Sequence, residues 1–260
     1  MVGSDLKNPK VGFVVPTLGL RDDYLRSCLE SLKQQGELPY VVVVRPADNR
    51  GIDPQVSSLV NAFVDDPGLG LSGAINVGMS VMPNSVEYVS WLGDDDLLEF
   101  GALEHQVRIL ERDSSLLMVF GKCRYIDAEG KAFLTFEPSR LYKFLTSFGP
   151  NQVAQPASIF RKAIFYELGG LDNSLKYAMD LDLWLRLFRF GHVEYTPHVL
   201  ASYRWHAQSL SAASEKRARS ESSRVRRRYL SPWLWPLEYL IAAAAEVSTL
   251  LRGSSLNRKS

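Results

Sequence analysis

The chain has 260 residues, 46% of them hydrophobic and 23% charged. These are ordinary values for a globular protein of one large domain plus a short appendage, and they exclude a disordered, collagen-like or polytopic membrane chain. The net charge of +1 hides an asymmetry, because residues 201–260 hold 11 Lys/Arg against 4 Asp/Glu and the rest holds 19 against 25.

Val11 to Val15 is a β-branched run stopped by Pro16, the pattern of a buried parallel strand. Tyr24, Leu25, Cys28, Leu29 and Leu32 then share one helical face, with Asp22 and Asp23 at its dipole-favoured start. Tyr40 to Val44 reads as a second strand and residues 56–64 as a short helix. A helix over 76–82 feeds a third strand over 87–92, which runs into Gly93-Asp-Asp-Asp96. Leu103, Val107 and Leu110 mark the next helix. Strands are expected over 116–120, 123–127, 132–136, 157–160 and 199–205, with a hairpin turn at 128–130. Met179 to Phe190 is an apolar helix closed by Gly191. Strands alternating with helices imply an α/β fold with a mostly parallel central sheet flanked by helices. Cys28 and Cys123 lack metal-type spacing and read as free, buried thiols of a reducing compartment. The start, MVGSDLKNPK, has no apolar core, so no cleaved leader is expected.

The three consecutive aspartates carry the chemistry. Adjacent like charges are costly unless a cation offsets them, and hard divalent ions prefer carboxylate oxygens. Ligands of open α/β sheets also bind at the carboxyl ends of the strands. Mg²⁺ or Mn²⁺ bound at the triplet is one reading; a solvated turn capping the following helix is the other. Asp180 and Asp182 open the helix 179–190 and point in different directions, so at most one faces a given site. A first-turn carboxylate stays ionised, which suits either a general base or a simple cap.

Five runs in register, Val14-Val-Pro-Thr17, Ala74-Ile-Asn-Val-Gly78, Trp91-Leu-Gly-Asp-Asp-Asp96, Gly169-Gly-Leu-Asp172 and Met179-Asp-Leu-Asp-Leu-Trp-Leu-Arg186, closely resemble family 2 glycosyltransferases. The resemblance implies the nucleotide-diphospho-sugar transferase fold called GT-A over residues 1–210, followed by a C-terminal helical tail. By that resemblance Asp95 is the main metal ligand, Asp94 meets ribose or metal, Asp96 supports them, and Asp180 is the catalytic base. His206 stands where many such enzymes place a histidine near the metal or diphosphate. Pro16 and Thr17 form part of the nucleotide-pocket wall, with the motif's Asn76 on the donor side. Two departures are expected to matter. Gly93 replaces the first acidic position of the metal element, and the base-reading aspartate after the second strand is absent, leaving Arg45 or Asp48 for that contact. Gln155 could hold a sugar hydroxyl or simply brace a turn, and Trp184 reads as core.

The implied function is metal-dependent, inverting transfer of a sugar from a UDP-, dTDP- or GDP-sugar to a hydroxyl of a saccharide or lipid-linked acceptor. The alternatives are a non-catalytic nucleotide-sugar-binding subunit of an envelope assembly complex and a sugar nucleotidyltransferase. Residues 211–260 differ in character. Seven cations from Lys216 to Arg228 precede Trp233, Trp235 and Tyr239, and Leu237, Leu240, Ile241, Ala244, Val247 and Leu251 recur at helical spacing with Glu238 off that stripe. Such a segment suits the plane of an anionic bilayer or packing on another protein surface. The longest uncharged stretches there, 229–237 and 239–245, fall far short of the roughly 18 residues a spanning helix needs. The expected location is cytoplasmic, peripheral on the inner face of the cell membrane. No nucleic-acid partner is expected, because the basic run is local and the body acidic.

Overall fold

The computed structural model describes residues 9–48, 54–206 and 215–244. Strand β1 (Val11–Pro16), helix α1 (Asp22–Lys33) and strand β2 (Tyr40–Arg45) come first. β1 and β2 pair in parallel with Val14 opposite Val42, and the continuous valine runs are buried on both faces, as parallel strands require. α1 turns Leu25, Cys28, Leu29 and Leu32 into the core.

Residues 56–64, expected as one helix, instead form a 3-10 turn (Pro54–Leu59) and strand β3 (Ala62–Asp65). Ala62, Phe63 and Val64 pair in parallel with Val42, Val43 and Val44, so ladder hydrogen bonds at the sheet edge outweigh the helical spacing of Val56, Leu59 and Val60. Helix α2 (Gly70–Ser80) starts six residues before the expected Asn76. Gly78 lets it lie close on the sheet, since a Cβ there would stand 2.5 Å from Val14 Cγ1 and 2.9 Å from Val44 Cγ2.

Next come β4 (Tyr88–Trp91), β5 (Leu97–Leu98), α3 (Ala102–Arg112), β6 (Leu116–Ile126) and β7 (Ala132–Phe136). β6 runs unbroken where two strands were expected, and Gly121 lets the segment holding His198 pass close beside it: a Cβ there would meet the His198 carbonyl at 2.7 Å. Helix α4 (Tyr142–Phe148), strand β8 (Ser158–Arg161), helices α5 (Lys162–Glu167) and α6 (Met179–Phe190), and strand β9 (His192–Arg204) complete the body.

The described strands form one sheet in the order β3-β2-β1-β4-β8-β6-β9-β5, with β7 paired to β6. It is parallel from β3 to β4; β8 then enters antiparallel to both β4 and β6. One hydrophobic cluster holds α2 and α6 against the sheet and a second holds α1 and α3. Trp184 lies wholly in the first, stacked on Trp91 at 6.0 Å, and is core as expected. Cys28 and Cys123 are buried free thiols.

Helix α7 (Glu215–Tyr229) packs on α6 with Val225 fully buried. A 3-10 turn (Pro232–Leu234) leads into a further helix described to residue 244. Its orientation differs from the amphipathic expectation. Glu238 is only 1% exposed, paired with Arg227 at 3.4 Å, while Leu240 is 64% exposed. The buried carboxylate follows the arginines of α7 and leaves apolar side chains outside. Val247 and Leu251 of the expected stripe lie outside the described residues.

Candidate active site

The strands deliver their carboxyl ends to a cleft of about 890 Å³, within the range of small-molecule sites. Pro16 and Thr17 after β1, Val44 at the end of β2, and Asp94, Asp95 and Asp96 after β4 all line it. β1 lies between β2 and β4, so the pocket wall and the acidic triplet are neighbours by sheet order.

The triplet divides its work. Asp94 is buried, accepts the Thr17 hydroxyl at 2.6 Å and pairs with Arg21 Nη2 at 2.7 Å. Burial pushes its carboxyl above the ordinary value, and Thr17 and Arg21 pull it part of the way back. Asp95 Oδ2 lies 2.9 Å from Arg21 Nη1 and 2.8 Å from His206 Nε2, which is itself 2.8 Å from Arg21 Nη1. Asp96 turns inward, where its Oδ1 accepts the Arg204 backbone N–H at 2.9 Å and burial drives its carboxyl well upward. That oxygen is committed to the Arg204 backbone, an arrangement that suits a supporting role beside Asp94 and Asp95. Gly93 is explained by crowding, since a Cβ there would stand 2.8 Å from Asp95 Oδ1 and 3.0 Å from Asp96 Oδ2.

Among the described residues no group of three or more His, Cys, Asp or Glu side chains is arranged to hold a metal ion. What occupies the point between Asp94, Asp95 and His206 is the Arg21 guanidinium. Two carboxylates and an imidazole thus converge on one side-chain cation, the Arg21 guanidinium.

Asp180 stands in the first turn of α6 and lines the same cleft. Loss of water raises its carboxyl to about 6, against hydrogen bonds from the Leu181 backbone and from Asn151 Nδ2 at 3.1 Å that favour the charged form. A carboxyl so tuned is deprotonated near neutrality yet basic enough to take a proton. Asp182 faces away, buried against Arg186 at 2.7 Å and the Tyr229 hydroxyl at 2.7 Å. Gln155 lines the cleft, and its amide donates to the Trp91 carbonyl at 2.6 Å, which braces the strand end.

Three expected donor contacts do not reach the cleft lining. Asn76 gives its amide to the Leu171 carbonyl and Asn173 Oδ1, both at 2.9 Å, and receives the Leu171 N–H. It staples the Gly169-Gly170 turn, where both glycines have positive φ. Arg45 lays its guanidinium on the Phe63 ring at 4.3 Å. Asp48 is exposed in the turn after β2. The carboxylate that does line the cleft from this side is Asp66, immediately after β3. It escaped the sequence reading because 56–64 looked helical; with β3 recognised, an aspartate just past a parallel strand end would have marked it. Arg21 and Asn151 were also missed, and neither sits in a local pattern that signals a site.

With this geometry established, the comparisons with known proteins place the chain in a family. The family model for glycosyl transferase family 2 matches residues 13–169, and the chain belongs to that family. It is 26% identical over 217 residues to the uncharacterized glycosyltransferase RP339 of Rickettsia prowazekii, covering 78% of this chain and 66% of the relative. With RT0329 of Rickettsia typhi the figures are 27% identity over 221 residues, 79% and 67%. The chain thus spans about two thirds of the length of these relatives. Among solved structures, the mannosyltransferase PcManGT from Pyrobaculum calidifontis, in complex with GDP-Man and Mn²⁺, superposes with a TM-score of 0.65 at 18% identity, covering 95% of this chain and 80% of its own. S. aureus TarS 1–349 with UDP-GlcNAc gives 0.62 at 16% identity, covering 90% and 67%. These likenesses establish the α/β GT-A-like fold.

Proposed function

We propose that the protein transfers a sugar, with inversion, from a nucleoside-diphosphate donor to a hydroxyl of a saccharide or lipid-linked acceptor. One observation carries the reading: a single cleft holds Asp94 and Asp95, paired on the Arg21 guanidinium, together with a carboxyl raised to about 6 at Asp180. A divalent ion held by Asp95 and His206, with Asp94 beside it, would supply charge neutralisation to the departing diphosphate. The chain's own residues do the rest. Pro16, Thr17 and Asp66 bind and orient the nucleoside end. The acceptor oxygen forms a bond to the anomeric carbon as the bond from that carbon to the diphosphate oxygen breaks, and the acceptor proton passes to the Asp180 carboxylate. Such a base typically contributes about 10²–10⁴-fold. The GDP-Man and Mn²⁺ bound by PcManGT, and the UDP-GlcNAc bound by TarS, support a nucleotide-sugar donor.

A thermal-shift panel of nucleotide sugars with and without Mn²⁺ tests donor and ion together, and product analysis separates transfer from mere binding or pyrophosphate release. Asp180→Asn is expected to bind donor as the natural chain does and to lose transfer at least 100-fold. Retained turnover in that variant removes Asp180 as the base.

The reading extends to location, at an anionic membrane surface. It is supported by the outward apolar side chains of the C-terminal helix and the cations of α7 beside them. Among the described residues no helix is long and apolar enough to cross a membrane.

A further inference from the structure

The helix that carries Asp180 lacks a cap of its own: Ala178, at its N-cap position, has no side chain able to accept a hydrogen bond. Just ahead of that start, three consecutive backbone N–H groups, those of Lys176, Tyr177 and Ala178, point at one anion. The anion comes from 43 residues downstream, on α7. Glu221 Oε1 accepts the N–H groups of Lys176 at 2.9 Å, Tyr177 at 2.7 Å and Ala178 at 2.9 Å. Glu221 is buried, and no residue of α7 lines the cleft. Lys176, Tyr177, Met179 and Asp180, by contrast, all line it. α7 holds the same corner twice more, by the Tyr229 hydroxyl on Asp182 at 2.7 Å and by Arg228 on Asp172 at 2.8 Å.

We infer that Glu221 is a positioning residue for transfer: its carboxylate fixes the 176–178 segment and thereby sets where the Asp180 carboxyl stands. The inference rests on Asp180 being the base and adds that a helix outside the cleft, beyond the 13–169 core of the family, completes the acceptor side. Three N–H groups gathered on one oxygen form a concave anion seat that a neutral amide oxygen fills less well, because charge-assisted hydrogen bonds are roughly twice as strong. A base displaced by about 1 Å can lose about 10²-fold in rate. The donor end is built from β1, β2, β3 and the triplet, none of which touches Glu221, so donor binding and transfer should separate.

The test uses the full chain carrying Glu221→Gln, with UDP and GDP plus Mn²⁺ as calorimetric probes and the donor found in the thermal-shift panel for turnover. The expected result is a 10- to 100-fold loss of kcat with a raised acceptor KM, nucleotide affinity within twofold of the natural chain, and faster amide hydrogen exchange confined to residues 176–182. A merely stabilising cap would lower the melting temperature and leave kcat per folded molecule and both KM values unchanged; that outcome overturns the inference. Unchanged exchange over 176–182 overturns it as well. If Glu221→Gln does not fold, Glu221→Asp, which keeps the charge and draws the carboxylate back by one carbon, is read by the same measurements. A natural chain that turns over no nucleotide sugar fails in its own control, and that failure belongs to the proposed function, while the exchange measurement still reports on the Glu221 seat.

Discussion

Asp180 and Arg21 each hold a charge in an unusual setting, and each setting has a measurable consequence. The Asp180 carboxyl must be ionised to accept a proton, and desolvation places its titration at about 6. The proton therefore blocks the base below that value, and kcat/KM is expected to rise about tenfold per pH unit up to about 6 and level off above. Asn151 donates to the charged form and holds the carboxyl lower than burial alone would. Asn151→Ala should shift the inflection to higher pH, and a pH–rate profile of the two proteins reads it directly; a shift to lower pH contradicts the assignment. Arg21 bridges Asp94 and Asp95, and under the proposed function a divalent ion would compete with its guanidinium for the same oxygens. Removing the competitor leaves adjacent carboxylates exposed to mutual repulsion, which lowers apo stability and raises the gain on binding a cation. Arg21→Ala is expected to melt at lower temperature without metal, and to bind Mn²⁺ several-fold more tightly by calorimetry. Mn²⁺ affinity that falls in Arg21→Ala would make Arg21 a support of the ion rather than its rival.

Elements were legible in the sequence where burial and period agreed. β1, β2 and β4 are short, largely apolar runs of the kind a doubly covered parallel strand accommodates, and α1 shows a clean 3.6-residue stripe. The Asp triplet was legible because it directly follows such a strand, and Asp180 because it opens an apolar helix within a motif of the family resemblance. What failed was chemistry set by distant partners. β3 is a strand because β2 offers it a ladder, a fact absent from residues 56–64 themselves, and with it Asp66 went unseen. Asn76 was read through its motif, whereas its amide is consumed by the 170–171 turn. The seating of α2 depends equally on contact across elements. A Cβ at Gly78 would meet two valines fixed in adjacent strands, which cannot retreat as a flexible side chain could. Overpacking typically costs about 1–3 kcal/mol, against about 1 kcal/mol gained from helix propensity. Gly78→Ala is therefore expected to lower the urea midpoint with little change in slope; a more stable variant would mean that α2 rides higher on the sheet than its glycine implies.

At the scale of the whole molecule, the acidic body and the basic end segment make opposite surfaces. Lys216, Arg217, Arg224 and Arg227 recur at spacings that share the outward face of α7, and all four are exposed. Arg227 carries that face onto the aromatic patch, its guanidinium 5.4 Å from the Trp235 ring centre. Trp233 and Tyr239, 77% and 67% exposed, and Leu240 extend the patch. Each cation near an anionic bilayer contributes about 1 kcal/mol, and each large apolar side chain that leaves water about 1.5–3 kcal/mol. Neither contribution alone would anchor a protein of this size; together they would, and they respond to different variables. The natural chain is expected to float with phosphatidylglycerol vesicles at low salt, to stay behind with phosphatidylcholine vesicles, and to be released as salt shortens the reach of the cations. Arg217→Ala with Arg224→Ala should cut vesicle partitioning about 30-fold, corresponding to about 2 kcal/mol. Trp233→Ser with Tyr239→Ser should weaken binding at every salt concentration. Protein that remains at the bottom of the gradient with anionic vesicles at low salt would instead assign this patch to a protein partner, and a doubled mass by light scattering, lost in the Trp233→Ser and Tyr239→Ser variant, would identify that partner as a second copy of the chain.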